Sequence, residues 1–131
     1  VTSALIDTSV VIDLDKAAVV DALPQAFAIS TATIAELSLG THLAEGPLER
    51  SKRQNALQEV EALFEPLAFD SMAARSYGIC AAAMLATGRS HRSRVMDLMI
   101  AATAHANSLP LYTRDKDDFK GLEGVVQIVV V

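Results

Sequence analysis

The feature that most constrains this chain is that its short β-type segments never follow one another directly. Ser3–Ile6, Phe27–Ser30, Pro66–Phe69, Leu109–Thr113 and the closing run VVQIVVV are kept apart, for most of the chain, by stretches with helical spacing of about ten residues or more. Strands joined by such crossovers pair in parallel, and the crossovers are right-handed. The expected fold class is therefore α/β, a three-layer α/β/α arrangement with a mainly parallel central sheet. At 131 residues, 51 % of them hydrophobic, the chain suits one domain, residues 1–131, with a real core.

The intervening segments read as helices with recognisable ends. Val10 to Leu23 carries apolar residues at Val11, Ile12, Leu14, Ala18 and Val19 and stops before Pro24. Ser30 to Thr33 offers N-caps for the helix through IAELSLGTHLAEG, placing Glu36 near its beginning. After Gly46 and Pro47, the segment LERSKRQNALQEVEALFE presents a stripe of Leu57, Val60, Leu63 and Phe64 and a charged opposite face. Asp70 and Ser71 cap a helix that runs to Gly88. A basic loop, Arg89 to Arg94, precedes the Ala-rich helix that starts at Val95.

In parallel sheets of this kind ligands bind at the C-terminal strand ends, where helix N-termini point in. Four acids fall there: Asp7 after the first strand, Glu36 early in a helix after the second, Asp97 near the start of the Ala-rich helix and Asp115 after LYT. Taken singly, each has an ordinary reading as a helix cap or a solvated charge. If the four converge, their repulsion demands a cation, and hard oxygen ligands select Mg²⁺ or Mn²⁺ over zinc. Asp7 and Asp97 are the expected principal ligands, Glu36 a ligand directly or through water, and Asp115 the acid that completes the site or orients water. Asp118 is a further candidate, three residues on. Thr8, Ser9 and Thr113 are expected to hold the carboxylates or a phosphate oxygen in place.

Other chemistries lack their parts. The sequence has no P-loop, no GxGxxG, no HExxH and no cysteine metal pattern, and its single cysteine, Cys80, reads as a small buried hydrophobe in a reducing, cytoplasmic setting. The apolar runs fall short of the roughly 20 residues that span a bilayer. A net charge of −5 argues against binding nucleic acid through a general positive coat, yet the basic residues are unevenly placed. Arg89, Arg92, Arg94, Arg114 and Lys116 flank Asp97 and Asp115 and are candidates for RNA phosphates, with plain solvation as the alternative. His105 reads as packing or surface, two turns from Asp97.

The runs LIDTSVVID, ISTATIAELSLG, DLMIAATAHANSLPLYTRDKDDF and GLEGVVQIV, in that order, resemble the PIN-domain family and in particular its VapC-type toxin ribonucleases. The resemblance covers nearly the whole chain. It implies a metal-dependent endoribonuclease, the toxin of a toxin–antitoxin pair, that hydrolyses RNA with metal-activated water and leaves a 5'-phosphate and a 3'-hydroxyl. Its acids match Asp7, Glu36, Asp97 and Asp115, with Asp118 as an additional acid of the motif. Many relatives carry Asn where this chain has Asp115, so the metal-contacting member of Asp115, Asp117 and Asp118 stays open. The resemblance also implies a VapB-type antitoxin partner held in a groove near the active site, and a homodimer. Ala81, Ala82, Ala83, Met84 and Leu85 suit either a helix contact with a second chain or packing on the sheet. Two further readings are a catalytically silent protein-binding module and a phosphatase for small esters.

Overall fold

In the computed structural model, which describes residues 2–131, the sheet is built around a strand that lies late in the sequence. β2 (Leu111–Thr113) runs parallel between β1 (Leu5–Ile6) and β3 (Ile128–Val130), with Leu5 beside Leu111 and Thr113 beside Val130. Two single parallel bridges, Leu5 to Ala28 and Ser30 to Leu67, extend the sheet beyond β1.

Successive strand residues point to opposite faces, and the two faces carry different cores. Leu5, Ala28 and Leu111 face the cluster built with Cys80, Met84, Leu98 and Phe119. Ile6, Ile29 and Tyr112 face the cluster built with Val10, Val11 and Val19. One face is covered by α5 (Ser71–Ala86) and α6 (Val95–Ala106), and the other by α1 (Thr8–Ile12) and α2 (Ala17–Asp21) together with side chains of α3 (Thr31–His42) and α4 (Pro47–Leu63). The fold is the expected three-layer α/β/α with a parallel sheet. α6 is buried along Leu98, Ile100, Ala101, Ala102, Thr103 and Ala104, as a helix apolar on most of its surface must be.

Two local expectations are corrected, and the expected Ser30 cap is found. The helix expected over Val10 to Leu23 is two short ones, because Asp13 ends α1: its backbone N–H closes on Val10 O, and its carboxylate pairs with Lys16 at 3.2 Å and Arg114 at 3.1 Å. The segments Phe27–Ser30 and Pro66–Phe69 contribute bridges rather than full strands. Ser30 leaves the sheet to cap α3, accepting the Ala32 N–H at 2.9 Å, so the helix begins at Thr31 and Glu36 lies in its second turn. The terminal strand occupies the edge of the sheet.

After β2 a 3-10 turn (Lys116–Phe119) is fixed by Phe119, which is fully buried. Gly121 follows at φ 98°, where a Cβ would stand 2.9 Å from Thr87 Oγ1. Phe119 thus seats this turn in the core it shares with α6, and the close approach at Gly121 sets the following chain against the end of α5. Among the described residues no helix is long and apolar enough to cross a membrane.

Candidate acid cleft

At the C-terminal edge of β1 the chain turns into α1, and Asp7 sits at the turn. It is 3 % exposed, and its Oδ1 accepts the Val10 N–H at 3.1 Å, so it is the N-cap of α1. It also accepts short hydrogen bonds from two hydroxyls. Ser9 Oγ accepts the Arg114 N–H at 3.0 Å and donates to Asp7 Oδ1 at 2.6 Å. Thr113 Oγ1 accepts the Asp115 N–H at 3.0 Å and donates to Asp7 Oδ2 at 2.6 Å. Consecutive backbone N–H groups thus direct both hydroxyl protons onto the carboxylate, a polarised arrangement that fixes its orientation.

Glu36, Asp97 and Asp118 face the same cleft, of about 220 Å³, together with Asp7, Thr8 and Ser9. Thr8 Oγ1 donates to Glu36 Oε1 at 2.6 Å, which ties the second turn of α3 to the first residue of α1. Asp97 lies in the first turn of α6, where the helix dipole favours negative charge. Asp118 reaches in from the 3-10 turn. Arg94 Nη1 stands 3.0 Å from Asp118 Oδ1 and 3.6 Å from Asp97 Oδ2.

Crowding shows in the acidities. Burial pushes the Asp7 carboxyl up, against the hydrogen bonds from Ser9, Thr113 and Val10, and Asp118 adds to the rise. Asp97 is pushed up to about 6 by burial first, then by Asp118 and Glu36, with Arg94 opposing and Asp7 adding a little. Both acids carry an unmet demand for positive charge.

The sequence-derived candidates separate accordingly. Asp7, Glu36, Asp97 and Asp118 share the cleft, with Thr8 and Ser9 beside them and Thr113 bonded from behind. Asp115 does not line it. That carboxylate is exposed and caps its own turn, accepting the Asp117 N–H at 2.9 Å. Of the basic residues, Arg92 and Lys116 are exposed, whereas Arg89 donates to Lys120 O at 2.8 Å and Arg114 donates to Asp13 Oδ2 and Val131 O at 3.1 Å each. Two partnerships escaped the sequence reading. The Arg94–Asp97 spacing of three residues was a usable signal for one; the Asp13–Arg114 pair spans 101 positions and left none. His105 bonds Ser76 Oγ through Nδ1 at 2.7 Å, and Cys80 is buried, its thiol raised to about 11.

Among the described residues no three His, Cys, Asp or Glu side chains are gathered tightly enough to hold a metal ion alone. The acids face one space without closing on a common point. The donor chemistry nevertheless fits a hard divalent cation: Mg²⁺ keeps several waters and is bound through one or two carboxylates plus substrate phosphate rather than in an all-protein cage. Asp7 and Asp97 are the pair whose upward-shifted pKa such a charge would bring back down.

Beside the cleft, and sharing Thr8, Ile12 and Glu36 with it, opens a larger groove of about 600 Å³ between α1, α3 and α4. Its floor is apolar, with Val11, Leu37, Ala56 and Val60.

Residues 4–124 match the PIN domain. Ribonuclease VapC5 of Mycobacterium tuberculosis is 34 % identical over 98 % of this chain and 94 % of its own length, and ribonuclease VapC4 of the same organism is 34 % identical over 89 % of each. Among solved structures, VapBC-5 of M. tuberculosis, a member of the VapBC family of toxin–antitoxin systems, superposes with a TM-score of 0.81 at 33 % identity, covering 100 % of this chain and 98 % of that one. FitAB of a DNA complex superposes at 0.76 with 27 % identity, covering 97 % and 94 %.

Proposed function

The chain belongs to the PIN-domain family as a VapC-type toxin homologue, and from that premise we propose that it is an Mg²⁺- or Mn²⁺-dependent endoribonuclease acting in the cytoplasm as one nuclease domain over residues 1–131. The observation that carries the proposal is the delivery of Asp7, Glu36, Asp97 and Asp118 from four separate segments to one cleft, with both principal acids pushed upward by burial.

Asp7 and Asp97 would hold the cation, with Glu36 and Asp118 at the rim, directly or through water. When bound, the cation supplies compensating charge and polarises water and the scissile phosphate for hydrolysis. The chain's own residues do the rest. Ser9 and Thr113 keep Asp7 oriented, and Thr8 keeps Glu36 turned inward. Arg92 and Lys116, exposed and two residues along the chain from Arg94 and Asp118 respectively, are the proposed contacts for RNA phosphates. Arg89 and Arg114 already have carbonyl or carboxylate partners, so their expected RNA contacts would have to compete with these. Asp115 supports the site through its backbone N–H, which loads Thr113, rather than through its carboxylate.

The proposed partner is a VapB-type antitoxin. VapBC-5 is one of a family of toxin–antitoxin systems, and the groove here has the apolar floor that accepts an amphipathic helix and opens on Glu36. A homodimer is proposed through the exposed apolar side of α5, where Met72, Ile79 and Leu85 are about half exposed.

Cleavage mapping on total cellular RNA with Mn²⁺, comparing the wild type with Asp7→Asn and Asp97→Asn, tests the activity. Discrete cuts lost in both variants are expected; equal cutting by all three proteins contradicts the assignment. The absence of a closed three-acid set among the described residues favours one second reading, a catalytically silent binding module. That module would show no saturable Mn²⁺ binding sensitive to Asp97.

A further inference from the structure

Three arginines of this chain have partners away from the acid cleft. Arg53 bonds Glu49 and Gly40 O, Arg89 bonds Lys120 O, and Arg114 bonds Asp13 and Val131 O. Arg94 differs. Its guanidinium, one third exposed, lies on two of the cleft acids at once, donating to Asp118 Oδ1 at 3.0 Å and standing 3.6 Å from Asp97 Oδ2. Asp97 lies in the first turn of α6, which Arg94 directly precedes, whereas Asp118 comes from the turn after β2, so the arginine straps the two walls of the cleft together.

Two consequences follow from charge alone. A guanidinium stays protonated at every accessible pH, so the occupation of these carboxylates does not relax near neutrality. A divalent cation entering beside it meets both a like charge a few ångströms away and oxygens whose lone pairs are partly taken. The geometry points to Arg94 as the resident counter-ion of the cleft, competing with the divalent cation for Asp97 and Asp118 and thereby setting how tightly the cleft takes metal. The inference rests on the cation-binding reading of the cleft. It assigns Arg94 a role other than the phosphate contact expected from its place in the basic loop.

The test is a Mn²⁺ titration of the full chain at fixed ionic strength, followed through the paramagnetic resonance signal of free Mn²⁺, for the wild type, Arg94→Gln, Arg94→Lys and Asp97→Asn. Removing the charge in Arg94→Gln is expected to tighten Mn²⁺ binding on the order of tenfold, the size of one partly screened like charge. Arg94→Lys, which keeps the charge, should stay within about twofold of the wild type, and Asp97→Asn should lose the site. Unchanged or weaker binding in Arg94→Gln, with the site still lost in Asp97→Asn, overturns the counter-ion role and leaves the cation reading intact. No saturable Mn²⁺ binding by the wild type overturns both. A measurement on the unmodified chain guards against a variant that fails to fold: on adding Mg²⁺ the guanidinium NMR signals of Arg94 should shift while those of Arg114 stay. An Arg94 signal that does not move at saturating Mg²⁺ contradicts the inference.

Discussion

Asp7 and Asp70 are the same device in two places. Each follows a sheet segment, each starts a helix, and each accepts a backbone N–H three residues on, at 3.1 Å from Val10 and 2.9 Å from Ala73. Asp70 is exposed and stops there. Asp7 is buried under two hydroxyls and beside other acids, and its carboxyl is pushed upward. Capping is thus local and was available to both residues, whereas the capacity for chemistry comes only from what the fold places around one of them.

The largest effect separates the two caps directly. Asp7→Asn is expected to lower metal-dependent RNA cleavage by more than about 100-fold, beyond what loss of a supporting bond produces, while Asp70→Asn leaves the rate within about twofold, as expected for a surface substitution away from the cleft. Equal losses would erase the distinction. Next comes the shell around Asp7: Thr113→Val leaves the Asp115 N–H and Asp7 Oδ2 without their partner, and should cost roughly 10- to 100-fold in Mn²⁺ affinity or rate. A variant with unaltered Mn²⁺ affinity and rate would mean that Asp7 needs no orienting.

The acidity of Asp97 gives a prediction with a definite sign. Its folded value, about 6, lies above the ordinary 3.8, so the folded state holds its proton more tightly than the unfolded chain. The stability this contributes is present below about pH 4 and is lost as pH rises through about 6. Asp97→Asn should therefore be more stable than the wild type by about 1–3 kcal/mol at pH 7.5 and lose that advantage near pH 4. Urea denaturation at the two pH values reads it, and an advantage independent of pH would contradict the electrostatic origin. The smallest effect belongs to the plain cap, with Asp70→Ala costing about 1 kcal/mol in the same measurement at either pH 5 or 7.5.

How much of this was legible in the sequence follows the same division. Asp70, Ser30 and the Gly46–Pro47 break act within a few residues and announced their helices. The positions of Asp7, Glu36 and Asp97 relative to strand and helix ends were readable because a parallel sheet gathers such ends at one edge. The break after Ile12 was not, since Asp13 is held by Arg114 from the far end of the chain. Which acid of the run after β2 enters the cleft was also hidden. It depends on Phe119 anchoring the turn, which leaves Asp118 inward and Asp115 occupied with Asp117.

In the proposed function the buried cap and the first turn of α6 jointly hold a divalent cation. A crystal of the wild-type chain soaked in Mn²⁺ and measured for anomalous scattering tests it most directly. A peak within coordination distance of both the Asp7 and Asp97 carboxylates is expected. Saturating Mn²⁺ with no peak in the cleft, or with peaks only at surface acids such as Asp70, would contradict it.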